Sequence, residues 1–107
     1  MDLLPLPDLA DRMGIPVNRA RQLVRDRKLL GVRDGGIMKV PAEFVSGGNV
    51  LKGLPGLLTV LRDAGYSDEE SLRWLFTPDP TLPGTPVQAL AENRGTEVKR
   101  RAQALGF

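Results

Sequence analysis

The chain has 107 residues, enough for one compact domain or for two small lobes sharing a core. It contains no Cys and no His, which excludes disulfides and thiolate metal sites and removes the commonest general base and metal ligand. The formal charge is +2, no apolar run nears membrane-helix length, and Met1 precedes Asp2 and a Leu/Pro mixture rather than a basic-then-apolar leader. A cytoplasmic protein is expected, with no cofactor and no metal. Carboxylates, Lys and Ser could still serve an enzyme, but no pair is placed to suggest one.

The charge is unevenly spread. Residues 1–11 are acidic, whereas residues 12–42 hold eight Arg and Lys against Asp26 and Asp34, a balance of +6. Residues 43–93 are net acidic and the last stretch is basic again. A basic block inside a nearly neutral chain suits a phosphate-facing surface; the plainer alternative is a set of scattered, solvated arginines.

The first helix is expected to open at Pro7, where a missing N–H costs nothing. Leu6, Leu9, Ala10 and Met13 fall on one apolar face. Gly14 permits the left-handed conformation that ends a helix, and Pro16 starts another. Two helices joined by so short a turn must share apolar faces. In the second helix, counting about 100° per residue from Ala20 puts Val17, Leu23 and Val24 on the buried side. Asn18, Gln22 and Arg25 then point away, flanked by Arg19 and Arg21. Asn, Gln and Arg can pair with purine edges in the major groove, and Arg also serves phosphates. The alternative is an ordinary surface helix built from good helix formers. Arg27 returns to the buried phase, so the helix should end near residues 26–28.

Residues 29–32 and 37–40 are short β-prone runs around Arg33-Asp34-Gly35-Gly36, and Asp-Gly signals a tight hairpin. Arg33 and Lys39 lie at the tip and on the return strand of this wing, within reach of a DNA backbone or minor groove. A hairpin that merely closes the helical pair is the other reading. Taken together, Leu9-Ala10, Met13-Gly14-Ile15-Pro16, Arg21, Leu29-Leu30 and Val40-Pro41, with a short helix expected at residues 42–45, resemble the winged helix-turn-helix of the MerR and excisionase-like group. Pro16 departs from that pattern, where a capping Ser or Thr is usual. The chain also lacks a long C-terminal coiled coil, so effector sensing and MerR-style dimerisation are not implied.

In the second half, Ser46-Gly47-Gly48-Asn49 is too short for a flexible linker and reads as a turn within one fold. Leu54, Leu57, Leu58 and Leu61 mark an amphipathic helix ending at Ala64-Gly65. Ser67-Asp68-Glu69-Glu70 reads as a capping box, which accounts for the three carboxylates without a metal. Leu72, Leu75 and Phe76 continue inward, with Trp74 expected in the core or as an interdomain plug and base stacking as the lesser reading. Pro78, Pro80, Pro83 and Pro86 with Gly84 make an irregular crossing. Residues 86–91 and 96–105 read as final helices with the break at Gly95. Lys99, Arg100 and Arg101 form a second basic cluster, either a phosphate contact or a solvated helix end.

Over nearly its whole length the chain resembles an actinobacterial family of small winged-helix DNA-binding proteins that includes a mycobacterial serine/threonine-kinase substrate. The resemblance is carried by Leu54-Pro55-Gly56, the run from Leu61-Arg62-Asp63-Ala64 to Gly65-Tyr66-Ser67, Glu70 with Trp74-Leu75, Pro83-Gly84-Thr85-Pro86, and Val98 with Arg100-Arg101-Ala102. No Thr-containing N-terminal extension is present, so kinase control through such a tail is not expected. Trp74-Leu75, Leu82-Pro83-Gly84 and Pro86 also resemble the C-terminal domain of Xre/ParS-type antitoxins.

The expected fold is mainly α with a small β-hairpin wing: a winged helix-turn-helix over residues 1–45 and a C-terminal helical lobe over 46–107, packed on it as one fold. The expected function is non-enzymatic binding of double-stranded DNA in a bacterial cytoplasm, as a nucleoid-associated or transcription-regulating protein. Asn18, Arg21 and Gln22 are the candidates for base edges, and Arg19, Arg25, Arg33 and Lys39 for phosphates. The alternative is an antitoxin-like module whose helical lobe binds a partner protein. DNA site, oligomeric state and direction of regulation are not legible in the chain.

Overall fold

A computed structural model describes residues 1–106. It resolves the chain into two compact units, the first Met1–Leu51 and the second beginning at Lys52. The first unit is a winged helix-turn-helix, as its turn residues and apolar spacing led us to expect.

In that unit, β1 (Leu3–Pro5) runs directly into α1 (Leu6–Met13), with Pro7 in the first helical turn. Leu6, Leu9 and Ala10 are buried and Met13 is half-buried, the face anticipated from their spacing. Gly14 takes φ 66° and ends the helix, and the Ile15 N–H reaches back to the Ala10 carbonyl at 3.0 Å. Only a residue without a Cβ adopts this bend at no steric cost. Helix α2 (Val17–Arg25) starts at Pro16 and stops at Asp26. Arg27 follows at φ 57°, a left-handed position held by a residue other than glycine.

Strands β2 (Val32–Asp34) and β3 (Ile37–Pro41) form the wing. Asp34 faces Ile37, leaving Gly35 and Gly36, at φ 60° and 82°, as a two-residue loop whose twist matches that of the strands. β1 pairs with the other edge of β3, completing an antiparallel sheet of order β1-β3-β2. This third strand was not anticipated, since three residues ending in proline show no alternation. A single 3-10 turn, Ala42–Phe44, leads to a second hairpin of β4 (Val45–Ser46) and β5 (Asn49–Val50) around Gly47 and Gly48. Leu29, Leu30, Val40 and Phe44 are buried in this unit.

Among its described residues the second unit holds four helices: α3 (Leu54–Asp63), α4 (Asp68–Leu75), α5 (Pro86–Ala91) and α6 (Gly95–Ala104). α3 packs on α4 and α6, and α5 packs on α4 and α6. Leu54, Leu57, Leu58, Leu61, Leu75 and Val98 are among its fully buried side chains. Ser67 and Glu70 close the expected capping box on α4, with backbone-to-side-chain bonds of 3.0 and 3.1 Å. Thr85 and Gln88 close a second one on α5. No described helix is long and apolar enough to cross a membrane.

Three expectations for this unit are corrected. Gly95 is the first residue of α6, not the break before it; the break is made by Asn93 at φ 64°, since a short polar side chain tolerates that conformation. Helix α4 stops at Leu75, so Phe76 caps it rather than continuing it, and Trp74 is half-buried instead of enclosed. The basic cluster divides: Lys99 and Arg100 are exposed, whereas Arg101 turns back, donating to the Thr81 hydroxyl at 2.7 Å, the Thr81 carbonyl at 3.2 Å and the Glu97 carbonyl at 2.8 Å. Its guanidinium thereby pins the proline-rich crossing to α6.

Candidate nucleic-acid interface

The arrangement of α2 follows from its apolar phase. Ala20 is fully buried and Val17, Leu23 and Val24 are half-buried, which turns Asn18, Arg19, Arg21 and Arg25 to solvent with Gln22 half-buried among them. Asn18, Gln22 and Arg25 form the centre of this polar face, with Arg19 on one flank and Arg21 on the other. Arg21 donates to Asn18 Oδ1 at 3.2 Å, Arg25 to Gln22 Oε1 at 3.4 Å, and Gln22 Nε2 to Asp26 Oδ1 at 2.8 Å. Exposed bonds of this length exchange readily with water or a ligand, so the face is pre-positioned without being locked.

Among the described residues no carboxylate forms an ion pair with Arg19, Arg21 or Arg25; the partners of the latter two are neutral amides. Their positive charge is therefore uncompensated by direct pairing. The start of α2 adds to it, because neither a side-chain cap nor an acidic residue stands in the first turn. Its leading N–H groups carry the positive end of the helix dipole, a disposition that suits an anion.

The wing differs. Arg33 is exposed and donates to the Gly36 carbonyl at 3.3 Å, so it lies along the hairpin tip. Lys39 is engaged: its ammonium sits 3.0 Å from an Asp34 carboxylate oxygen across the same hairpin. The structure thus groups the five α2 residues and places Arg33 and Lys39 on a separate element, one with a neutral and the other with an acidic partner. Gly31, between α2 and β2, leaves room for Met38, whose side chain a Cβ there would strike, with Val24 also close. This close approach sets the wing against the back of α2. Ile37, exposed at the wing tip, was not singled out from sequence; its place beside the Gly-Gly loop was the available signal.

Comparison with known proteins bears on this geometry. Residues 1–45 match the family described as "DNA-binding protein Rv2175c, wHTH domain", and residues 51–106 match the "Rv2175c C-terminal domain of unknown function". The chain belongs to the Rv2175c family. It is 44% identical to the DNA-binding protein Rv2175c of Mycobacterium tuberculosis, across 95% of this chain and 79% of that protein. The NMR structure of Rv2175c superposes with a TM-score of 0.88 at 41% identity, covering 99% of this chain and 82% of that one. The resemblance noted from sequence is thus upheld for the family and the fold. All seven candidate contact residues fall within the stretch matched by the Rv2175c winged helix-turn-helix domain.

Proposed function

We propose that this chain binds double-stranded DNA, with α2 in the major groove and the wing alongside, as a non-enzymatic bacterial regulator or nucleoid-associated protein of the cytoplasm. The observation that carries this reading is the outward face of α2, on the second helix of a helix-turn-helix: two amides and three arginines, with no carboxylate ion-paired to any of the arginines among the described residues. The name of its relative, a DNA-binding protein, supports it. Asn18, Arg21 and Gln22 are proposed for base edges and Arg19, Arg25 and Arg33 for phosphates, while Lys39 contributes less because Asp34 already neutralises it.

The test is a titration of labelled duplex at several salt concentrations. Counterion release requires affinity to fall steeply as salt rises, and Arg25→Ala should shallow that slope by roughly one unit. Gln22→Ala should cost about 1–3 kcal/mol on a selected site and little on random DNA. No binding at low salt would end the DNA reading. Equal losses for both variants on both DNAs would reduce α2 to a phosphate-binding surface.

A second reading concerns the C-terminal unit. Tyr66 and Trp74, both half-buried, line a depression of about 300 Å³ with Glu70 and Arg73, a surface suited to a partner protein. Cross-linking followed by identification of a specific partner, lost on Trp74→Ala, would support it.

A further inference from the structure

Ile37 is 55% exposed, one of two large apolar side chains so exposed among the described residues, the other being the chain-terminal Met1. It follows the Gly35-Gly36 loop, so no side chain stands between it and the end of the hairpin. Strand alternation puts Val32, Asp34, Ile37 and Lys39 on one face of the wing, and Arg33, Met38 and Val40 on the other. Met38 fills the space left at Gly31 beside Val24 of α2, so the second face is the inner one and the exposed Ile37 stands on the outer one. Asp34, directly opposite Ile37, would repel a phosphate backbone, but the Lys39 ammonium at 3.0 Å compensates its charge. Arg33 reaches along the loop to the Gly36 carbonyl. The tip therefore presents an aliphatic side chain from its outer face and, from the other face, a guanidinium laid along a turn that carries no other side chain.

Such a tip suits a narrow groove with negative potential. The minor groove is about 6 Å wide, and its A·T floor offers only acceptors, whereas guanine adds an N2 amine that projects into it. Apolar side chains enter minor grooves where no amine obstructs them, and arginine is drawn to those that are narrow. We propose that Ile37 is an apolar minor-groove contact that makes the wing disfavour guanine, with Arg33 supplying the adjoining cation. This rests on the DNA-binding reading above and adds to it a residue that determines specificity.

The test uses the full chain and three alternating copolymer duplexes: poly(dA-dT), poly(dG-dC) and poly(dI-dC). Inosine lacks the N2 amine, so I·C pairs share the minor-groove floor of A·T while keeping the major-groove edge of G·C. The wild type is expected to bind the A·T and I·C duplexes about fivefold more tightly than G·C, and Ile37→Ala to lose that preference without changing the salt slope. Arg33→Ala should weaken all three and shallow the slope. Being exposed, Ile37 can be replaced without loss of the fold, which an unchanged melting curve would verify. If I·C follows G·C, or if Ile37→Ala keeps the wild-type preference, the inference falls while DNA binding stands. If no duplex binds at low salt, both fall.

Discussion

Ser71 lies in the buried face of α4 with none of its surface exposed, and its hydroxyl has no hydrogen-bond partner among the described residues. A buried hydroxyl without a partner costs more than a missing methyl-sized atom would, and alanine is also the better helix former. Ser71→Ala is therefore expected to raise stability by about 1 kcal/mol, read as a higher urea midpoint at unchanged slope. A lower midpoint would mean that the hydroxyl is satisfied in solution. Sequence alone places Ser71 one residue before an apolar position and does not reveal this. The same boundary separates the cations. Phase arithmetic was enough to turn Asn18, Arg19, Arg21, Gln22 and Arg25 outward, because helix geometry is local. The neutralisation of Lys39 by Asp34 depends on hairpin register, and the recruitment of Arg101 by Thr81 spans twenty residues of chain, so neither shows in a count of charges.

Among the elements, the capping box on α4 was legible because its partners stand three residues apart. The Ser67 N–H donates to the Glu70 carboxylate, and this bond, followed by that of the Ser67 hydroxyl, holds the Glu70 pKa below its ordinary value. A carboxylate whose folded pKa is depressed stabilises the fold above its unfolded pKa, and that contribution disappears as pH falls through the folded value. Glu70→Gln should therefore lower the melting temperature at neutral pH and converge on the wild type in acid. Parallel melting curves at all pH values would contradict this. Ser67→Ala should cost about 1 kcal/mol at neutral pH. The wing hairpin was legible from its Asp-Gly-Gly turn even though β2 is three residues long, whereas the other short strands carried no such signal. β1 and the β4–β5 pair are held by partners rather than by pattern, and the helix break at Asn93 was hidden by a neighbouring glycine that would serve equally well.

For the molecule as a whole, apolar periodicity and turn residues were enough to indicate a winged helix-turn-helix followed by a helical lobe. Whether the two units unfold together is a matter of energetics that no periodicity encodes. We propose that they form one cooperative fold, because fifty-odd residues bury too little surface to be safely stable alone. Residues 1–51 by themselves should then melt broadly and well below the full chain by circular dichroism. A sharp transition at the full chain's temperature would show the first unit to be independent.

The strand pairings of the first unit also set an order in time. Two strand pairings join neighbours across two-glycine loops, whereas β1 meets β3 by bringing Leu3 opposite Pro41. Closing the longer loop costs more chain entropy before any contact repays it, so the local hairpin should form early and β1 should dock late. Shortening a side chain on a late-docking strand speeds unfolding and leaves refolding nearly unchanged. Leu4→Ala, on the strand position facing Val40, should behave in this way in stopped-flow circular dichroism. A refolding rate that fell in step with stability would instead place the N-terminal strand in the folding nucleus. If β1 does dock last, it is also the first part to come away, and the earliest local opening of this unit begins at its N-terminal edge.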